Sequence, residues 1–241
     1  MLLLGTTMAF AASLPTAPQT IDVPLSTSFN EGNYGPQEVN ATAGNITALV
    51  INGIGQTKAW QGYYGNITGT ITLDDVNNYT FYNWSTVEPQ GQIYATLSTT
   101  VSWLDVNCFN FAEPAMSETT IESYYSIQTD DVDGVPETFN STDHPSFEVG
   151  SKQFVAVCPT TYIFQNDAYQ QANFVNVLLW DQSNNVTGWI YTALIEDKTP
   201  GAVADLVCYN NEYCDFQILV NENGHGTDTN PTPYYFWVEL L

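Results

Sequence analysis

The run FVNVLLWDQSNNVTGWIYTALIE, Phe174 to Glu196, decides the fold. It holds two apolar blocks, Phe174 to Trp180 and Trp189 to Glu196, on either side of Asp181-Gln182-Ser183-Asn184-Asn185. β-branched and aromatic residues fill both blocks, and such side chains suit a pleated, packed surface. The polar residues between them cap their own backbone or tolerate left-handed geometry, so they read as a turn. Two strands joined by a turn is the expectation.

The same pattern recurs on both sides. Asn45 to Ile51, Gly69 to Leu73, Tyr79 to Trp84 and Ile93 to Val101 precede it, and Phe154 to Val157, Phe216 to Val220 and Tyr234 to Leu240 complete the set. Asp74-Asp75-Val76-Asn77-Asn78 and Asn221-Glu222-Asn223-Gly224 are further turn signals. One short helix is predicted over Ser117 to Ile127, with Ser117 as its cap and Glu118 placed to favour the helix dipole. Many short strands joined by turns predict an all-β fold, an antiparallel β-sandwich or jelly roll, rather than alternating βαβ units. Residues 30–241 read as one sandwich domain with two sub-sheets. The apolar strand near Tyr235-Phe236-Trp237-Val238 must be paired or covered.

Residues 1–29 read differently. Leu2, Leu3, Leu4, Met8 and Phe10 form a short apolar stretch followed by small residues, like the end of a signal peptide without a basic start. The competing reading is an added strand that packs in a neighbouring subunit, with Leu2 to Ala12 as the assembly segment. Pro15, Pro18 and Pro24 then mark an extended linker over residues 14–29.

Composition narrows the function classes. The chain has 26 Asp plus Glu against 3 Lys plus Arg, a net charge of -23, yet only 12% of its residues are charged. Nucleic acid is excluded as an expected partner, because binding a phosphate backbone needs clustered cations. No stretch reaches the roughly 18 consecutive apolar residues of a membrane span, so the chain is not expected to be an integral membrane protein. Asn-x-Ser/Thr sequons begin at Asn40, Asn45, Asn66, Asn78, Asn83, Asn140 and Asn185. Each is an acceptor for a hydrated N-glycan in an exported protein.

Cys108, Cys158, Cys208 and Cys214 fit two disulfides in an oxidising compartment, and four cysteines permit three pairings. The expectation is Cys208 with Cys214, whose intervening residues can close a turn, and Cys108 with Cys158. A zinc site would want a C-x-x-C spacing, which the chain lacks.

The stretch Ala59-Trp60-Gln61-Gly62-Tyr63-Tyr64-Gly65-Asn66-Ile67-Thr68-Gly69, continuing through Leu73-Asp74-Asp75 to Phe81-Tyr82-Asn83-Trp84, resembles a family of secreted archaeal surface proteins without an assigned activity. Asp131-Val132-Asp133-Gly134 with Glu137-Thr138-Phe139, His144-Pro145-Ser146-Phe147 and Glu222-Asn223-Gly224-His225-Gly226 resemble the same family. The resemblance implies an archaeal, exported, N-glycosylated, abundant surface component. It carries no catalytic assignment.

Other constellations bear on chemistry. Asp130, Asp131 and Asp133 around Gly134, with Glu137, are carboxylates spaced as in oxygen-only calcium loops, without the full twelve-residue pattern. Calcium is the one candidate cofactor and none is required. His144 and His225 lie in turn sequences and read as structural hydrogen-bonders. Trp60, Tyr63 and Tyr64 read as packing residues first and as a carbohydrate platform second. Together these features predict a non-enzymatic structural subunit of a glycosylated extracellular filament or coat that polymerises with itself. The alternative is a cell-surface adhesin or calcium-dependent glycan-binding module.

Overall fold

A computed structural model describes residues 14–27, 36, 38–86, 90–113, 118–196, 206–222 and 231–240. Among them the chain is mostly β, and every named strand pairing is antiparallel. The strands are β1 (Trp60–Gly65), β2 (Gly69–Asp74), β3 (Thr80–Thr86), β4 (Gly91–Thr96), β5 (Val106–Cys108), β6 (Phe147–Val149), β7 (Lys152–Phe154), β8 (Thr160–Tyr162), β9 (Val175–Asp181), β10 (Trp189–Leu194), β11 (Phe216–Asn221) and β12 (Tyr235–Leu240). Two short helices, α1 (Glu118–Tyr124) and α2 (Val135–Thr138), lie between β5 and β6.

The run from Phe174 to Glu196 supplies the heart of the structure. β9 and β10 form an antiparallel pair in the middle of a six-stranded sheet ordered β12-β4-β10-β9-β5, with β8 also on β9. Every residue of both strands is buried. Such strands need cover on both faces, and the alternation sorts their side chains accordingly. Leu178, Trp180, Trp189, Tyr191 and Ala193 point to one face, where Ile218 and Val220 of β11, Ile121 of α1 and Phe139 after α2 cover them. Val175, Val177, Leu179, Ile190 and Leu194 point to the other, under Trp103, Phe147, Val149 and Phe154. The β1–β11 pair thus forms the second layer of a sandwich over the first face, and the β6–β7 hairpin caps the second.

β5 and β8 share one edge of β9. Cys108 pairs with Leu179 and Thr160 with Val177. The Cys108–Cys158 disulfide ties these short strands together, while Cys208–Cys214 closes the turn through Tyr209-Asn210-Asn211-Glu212-Tyr213. Both pairings agree with the expectation from sequence.

The edge between β4 and β12 depends on a glycine. Gly91 has φ +131°, and a Cβ there would stand 1.8 Å from the Glu239 carbonyl oxygen. Only a residue without a side chain lets β12 approach so closely.

Some segments differ from the sequence reading. Residues 45–51, expected as a strand, form no strand and pair in no ladder with the other described residues. Their β-rich composition meets no sheet edge among the described residues. β1, rich in glycine, and the three-residue strands β5, β6 and β8 were not expected. Of the helix predicted over 117–127, α1 occupies Glu118–Tyr124.

Candidate functional site

The open edge of the six-stranded sheet is β12, and the chain's own leading segment reaches it. Thr16 N–H donates to the Val238 carbonyl at 2.9 Å, and Val238 N–H donates back to Thr16 at 2.9 Å. This antiparallel bridge is the pairing unit of an added strand. Leu14, just before it, packs over Gly150, where a Cβ would stand only 2.6 Å from Leu14 Cδ2, so the missing side chain leaves room for the leucine. Leu2, Leu3, Leu4, Met8 and Phe10, expected to drive assembly, lie outside the described residues.

Behind that edge is a buried carboxylate. Glu239 is 1% exposed; its Oε2 accepts the Tyr94 hydroxyl at 2.7 Å and its Oε1 accepts the Gly150 N–H at 2.8 Å. Burial pushes the Glu239 carboxyl above its ordinary value, opposed by the two hydrogen bonds. It also pushes the Tyr94 hydroxyl up, and the facing carboxylate adds to that. Glu239 therefore locks β12 to β4 and to the β6–β7 turn.

A second buried network closes the other face. Trp189 Nε1 donates to the Tyr125 hydroxyl at 3.1 Å, Tyr125 and Tyr234 hydroxyls are 2.6 Å apart, and Tyr234 donates to the Asn221 carbonyl at 2.7 Å. Since Tyr234 spends its proton on Asn221, Tyr125 donates to Tyr234. Tyr191 completes the group through Asn221 Oδ1 at 2.5 Å. Burial pushes the hydroxyl pKa of all three tyrosines up and so holds them protonated. These are satisfied structural hydroxyls that fix β10, β11, the segment after α1 and the start of β12.

All seven sequon asparagines, Asn40, Asn45, Asn66, Asn78, Asn83, Asn140 and Asn185, are exposed. Three of them frame or occupy the β2–β3 hairpin. Asn78 sits in its turn with φ +63°, and Asn83 lies on β3.

Of the candidate calcium residues, Asp130, Asp131 and Asp133 fall in the loop leading into α2 and Glu137 lies within α2. Asp131 Oδ2 accepts the Gln128 N–H at 2.8 Å, Asp133 Oδ2 accepts the Thr57 hydroxyl, and Asp130 and Glu137 are exposed. Among the described residues, no three His, Cys, Asp or Glu side chains gather as a metal-holding group.

His144 is buried, with Nδ1 2.8 Å from the Pro145 carbonyl and Nε2 accepting the Val157 and Cys158 N–H groups at 3.2 Å. The accepting Nε2 assigns the proton to Nδ1, so the ring serves the backbone. His225 lies outside the described residues. Trp60 donates to the Asp133 carbonyl and tilts against Phe139, Tyr63 meets Phe236 edge-on at 5.2 Å, and Tyr64 meets Tyr209 at 5.3 Å. All three rings are engaged in packing.

The sequence reading marked the Tyr234 to Leu240 strand as one to be paired or covered but missed the Thr16 pairing and Glu239; a lone carboxylate inside the apolar Tyr235 to Leu240 run was the only signal for Glu239. No protein-family model, curated protein or solved structure matches the chain. No helix among the described residues is long and apolar enough to cross a membrane.

Proposed function

We propose that this chain is a structural subunit of a glycosylated extracellular filament or surface coat of an archaeal cell, assembled by strand exchange through a terminal segment. The observation that carries the reading is the Thr16–Val238 bridge. It supports a leading segment that uses the free edge of β12, the main-chain surface a neighbouring copy would use. Main-chain bonds to such an edge supply affinity, and alternate apolar side chains such as Leu14 fix register.

Seven exposed sequons suit a subunit whose lateral surfaces stay hydrated, and two disulfides suit an oxidising exterior. Electron microscopy of material shed from native cells, with mass spectrometry of its amino terminus, tests the reading. Regular fibres built from chains that retain Leu2 to Ala12 are expected, and deleting that stretch should leave folded monomers. Fibres formed by the truncated chain would overturn the strand-exchange route.

The second reading, a surface adhesin, is favoured by one feature. Tyr82 and Trp84 form an exposed ring pair with centroids 4.7 Å apart. Saturable glycan binding by monomers would select it.

A further inference from the structure

The chain has 3 Lys plus Arg, and one of these cations is placed without a counter-charge. Lys152 opens β7, and its Nζ donates to the Val106 carbonyl at 2.6 Å and to Asn107 Oδ1 at 2.5 Å. Both oxygens are uncharged. Among the described residues no carboxylate pairs with Lys152, although the chain holds 26 Asp plus Glu. Val106 belongs to β5, the edge of the six-stranded sheet opposite β12, and serving an edge carbonyl accounts for one of the two bonds. The other sets a primary amine against a carboxamide.

That second contact has the geometry of a reaction as well as of a hydrogen bond. Asn107 Nδ2 donates to the Asp105 carbonyl at 3.1 Å, which turns Oδ1 toward the amine. A C=O bond is about 1.2 Å long, so Nζ lies within about 3.7 Å of Asn107 Cγ. Reacting atoms held about 3–3.5 Å apart are poised for attack, and a shift of a few tenths of an ångström reaches that range.

The surroundings favour the product. Lys152 is half-buried, and with Asn107 it lines a cleft that also takes in Phe109, Phe154 and Trp180, all three rings buried. The Phe154 ring centroid is 5.5 Å from Nζ. An ammonium held against such rings carries a desolvation cost that a neutral amide in its place does not. Glu113 is the one carboxyl among the described residues of the cleft lining, and proton transfer by a carboxyl is the assistance this reaction needs.

We infer that Lys152 and Asn107 join in an intramolecular isopeptide bond. Uncharged Nζ attacks Cγ, the Cγ–Nδ2 bond breaks, and Nδ2 departs as ammonia. Glu113 takes the proton from Nζ and returns it to Nδ2. Counted from the lysine ammonium, the products are the amide and one ammonium ion, with no change of oxidation state and no cofactor consumed. The bond fastens the β6–β7 hairpin to β5, while the Gly150 N–H ties the same hairpin to Glu239 at the far edge. Cys108–Cys158 closes nearly the same loop but opens on reduction, which the isopeptide bond does not. The inference stands apart from the filament reading.

The test is the mass of the full-length chain, secreted into a bacterial periplasm where disulfides form and no N-glycan is added, then reduced, alkylated, weighed intact and mapped after pepsin digestion. The expected wild-type mass is one ammonia below that of the alkylated sequence, with a branched peptide holding both Asn107 and Lys152. Lys152→Arg keeps the cation but cannot form the bond, and should show the full mass of its sequence. Asn107→Asp should lose water instead and arrive at the same cross-linked mass as wild type. In a refolding time course Glu113→Gln should slow the bond about a hundredfold.

Folded, disulfide-bonded wild type at its full sequence mass, with Lys152 open to acetylation, overturns the inference. So does an ammonia loss that maps to a succinimide at Asn107 with Lys152 on a separate peptide. Bond formation as fast in Glu113→Gln as in wild type removes Glu113 from the step.

Discussion

Tyr94 donates its hydroxyl to Glu239 at 2.7 Å from the strand beside it, so the edge strand is pinned to the body by a carboxylate that water does not reach. The bond belongs to the same sheet edge that receives Thr16. A firm edge strand and an accessible outer backbone are what strand addition requires.

Glu239→Leu should therefore cost about 1–3 kcal/mol, because it leaves the Gly150 N–H without a partner and the Tyr94 hydroxyl with only its longer contact to Gln92 Oε1 at 3.3 Å. Glu239→Gln keeps an acceptor and a donor in place and should stay within about 1 kcal/mol of wild type. Urea unfolding of both variants checks this; equal losses would remove the assigned role of the hydrogen bonds.

Glu196 gives a pH signature with a defined sign. Burial pushes its carboxyl from 4.5 up to about 6, against the pull of the Phe174 and Val175 backbone. A raised folded-state value means the folded form holds its proton more tightly than the unfolded form. The contribution is thus full below about 4.5 and is lost as pH rises through about 6. At about 1.4 kcal/mol per unit, the loss is up to about 2 kcal/mol. Glu196→Gln should flatten melting temperature against pH across that window. An unchanged profile would assign the dependence to other groups.

The two disulfides should differ in weight. In the chain-entropy account, linking Cys108 to Cys158 across a sequence separation of 50 is worth about 4 kcal/mol, and linking Cys208 to Cys214 across a separation of 6 about 2 kcal/mol. Paired Cys→Ala variants test the order by denaturant midpoint, and a larger loss at Cys208/Cys214 would reverse it.

The fold was legible where a segment's own pattern matched its surroundings. β9, β10, β11 and β12 announce themselves through apolar and β-branched residues, and the Cys208–Cys214 disulfide followed from spacing, with Cys108 and Cys158 as the remaining pair. β5 and β8 were not legible, since three residues carry no period and their pairing comes from the shared edge of β9. Residues 45–51 misled for the opposite reason. Their composition is that of a strand, but strand formation needs an edge, and none among the described residues pairs with them. The Thr16 bridge left no mark in sequence, because main-chain pairing is indifferent to the side chain that carries it.

Gly91 offers the sharpest test of the β12 edge. A methyl group there would meet the Glu239 carbonyl at 1.8 Å, and the φ of +131° is costly for any residue with a Cβ. Gly91→Ala must push β12 outward or abandon the Leu240 pairing, so a loss of at least about 2–3 kcal/mol is expected. The lesion is local. Gly91 lies at the end of β4, and the β9–β10 pair and both disulfides are built from other residues. The variant should therefore keep its β content and disulfides while hydrogen exchange accelerates along Tyr235 to Leu240. If assembly uses this edge, fibres should fail while the monomer persists. Normal fibres from a variant with demonstrably faster exchange in β12 would detach assembly from the edge altogether.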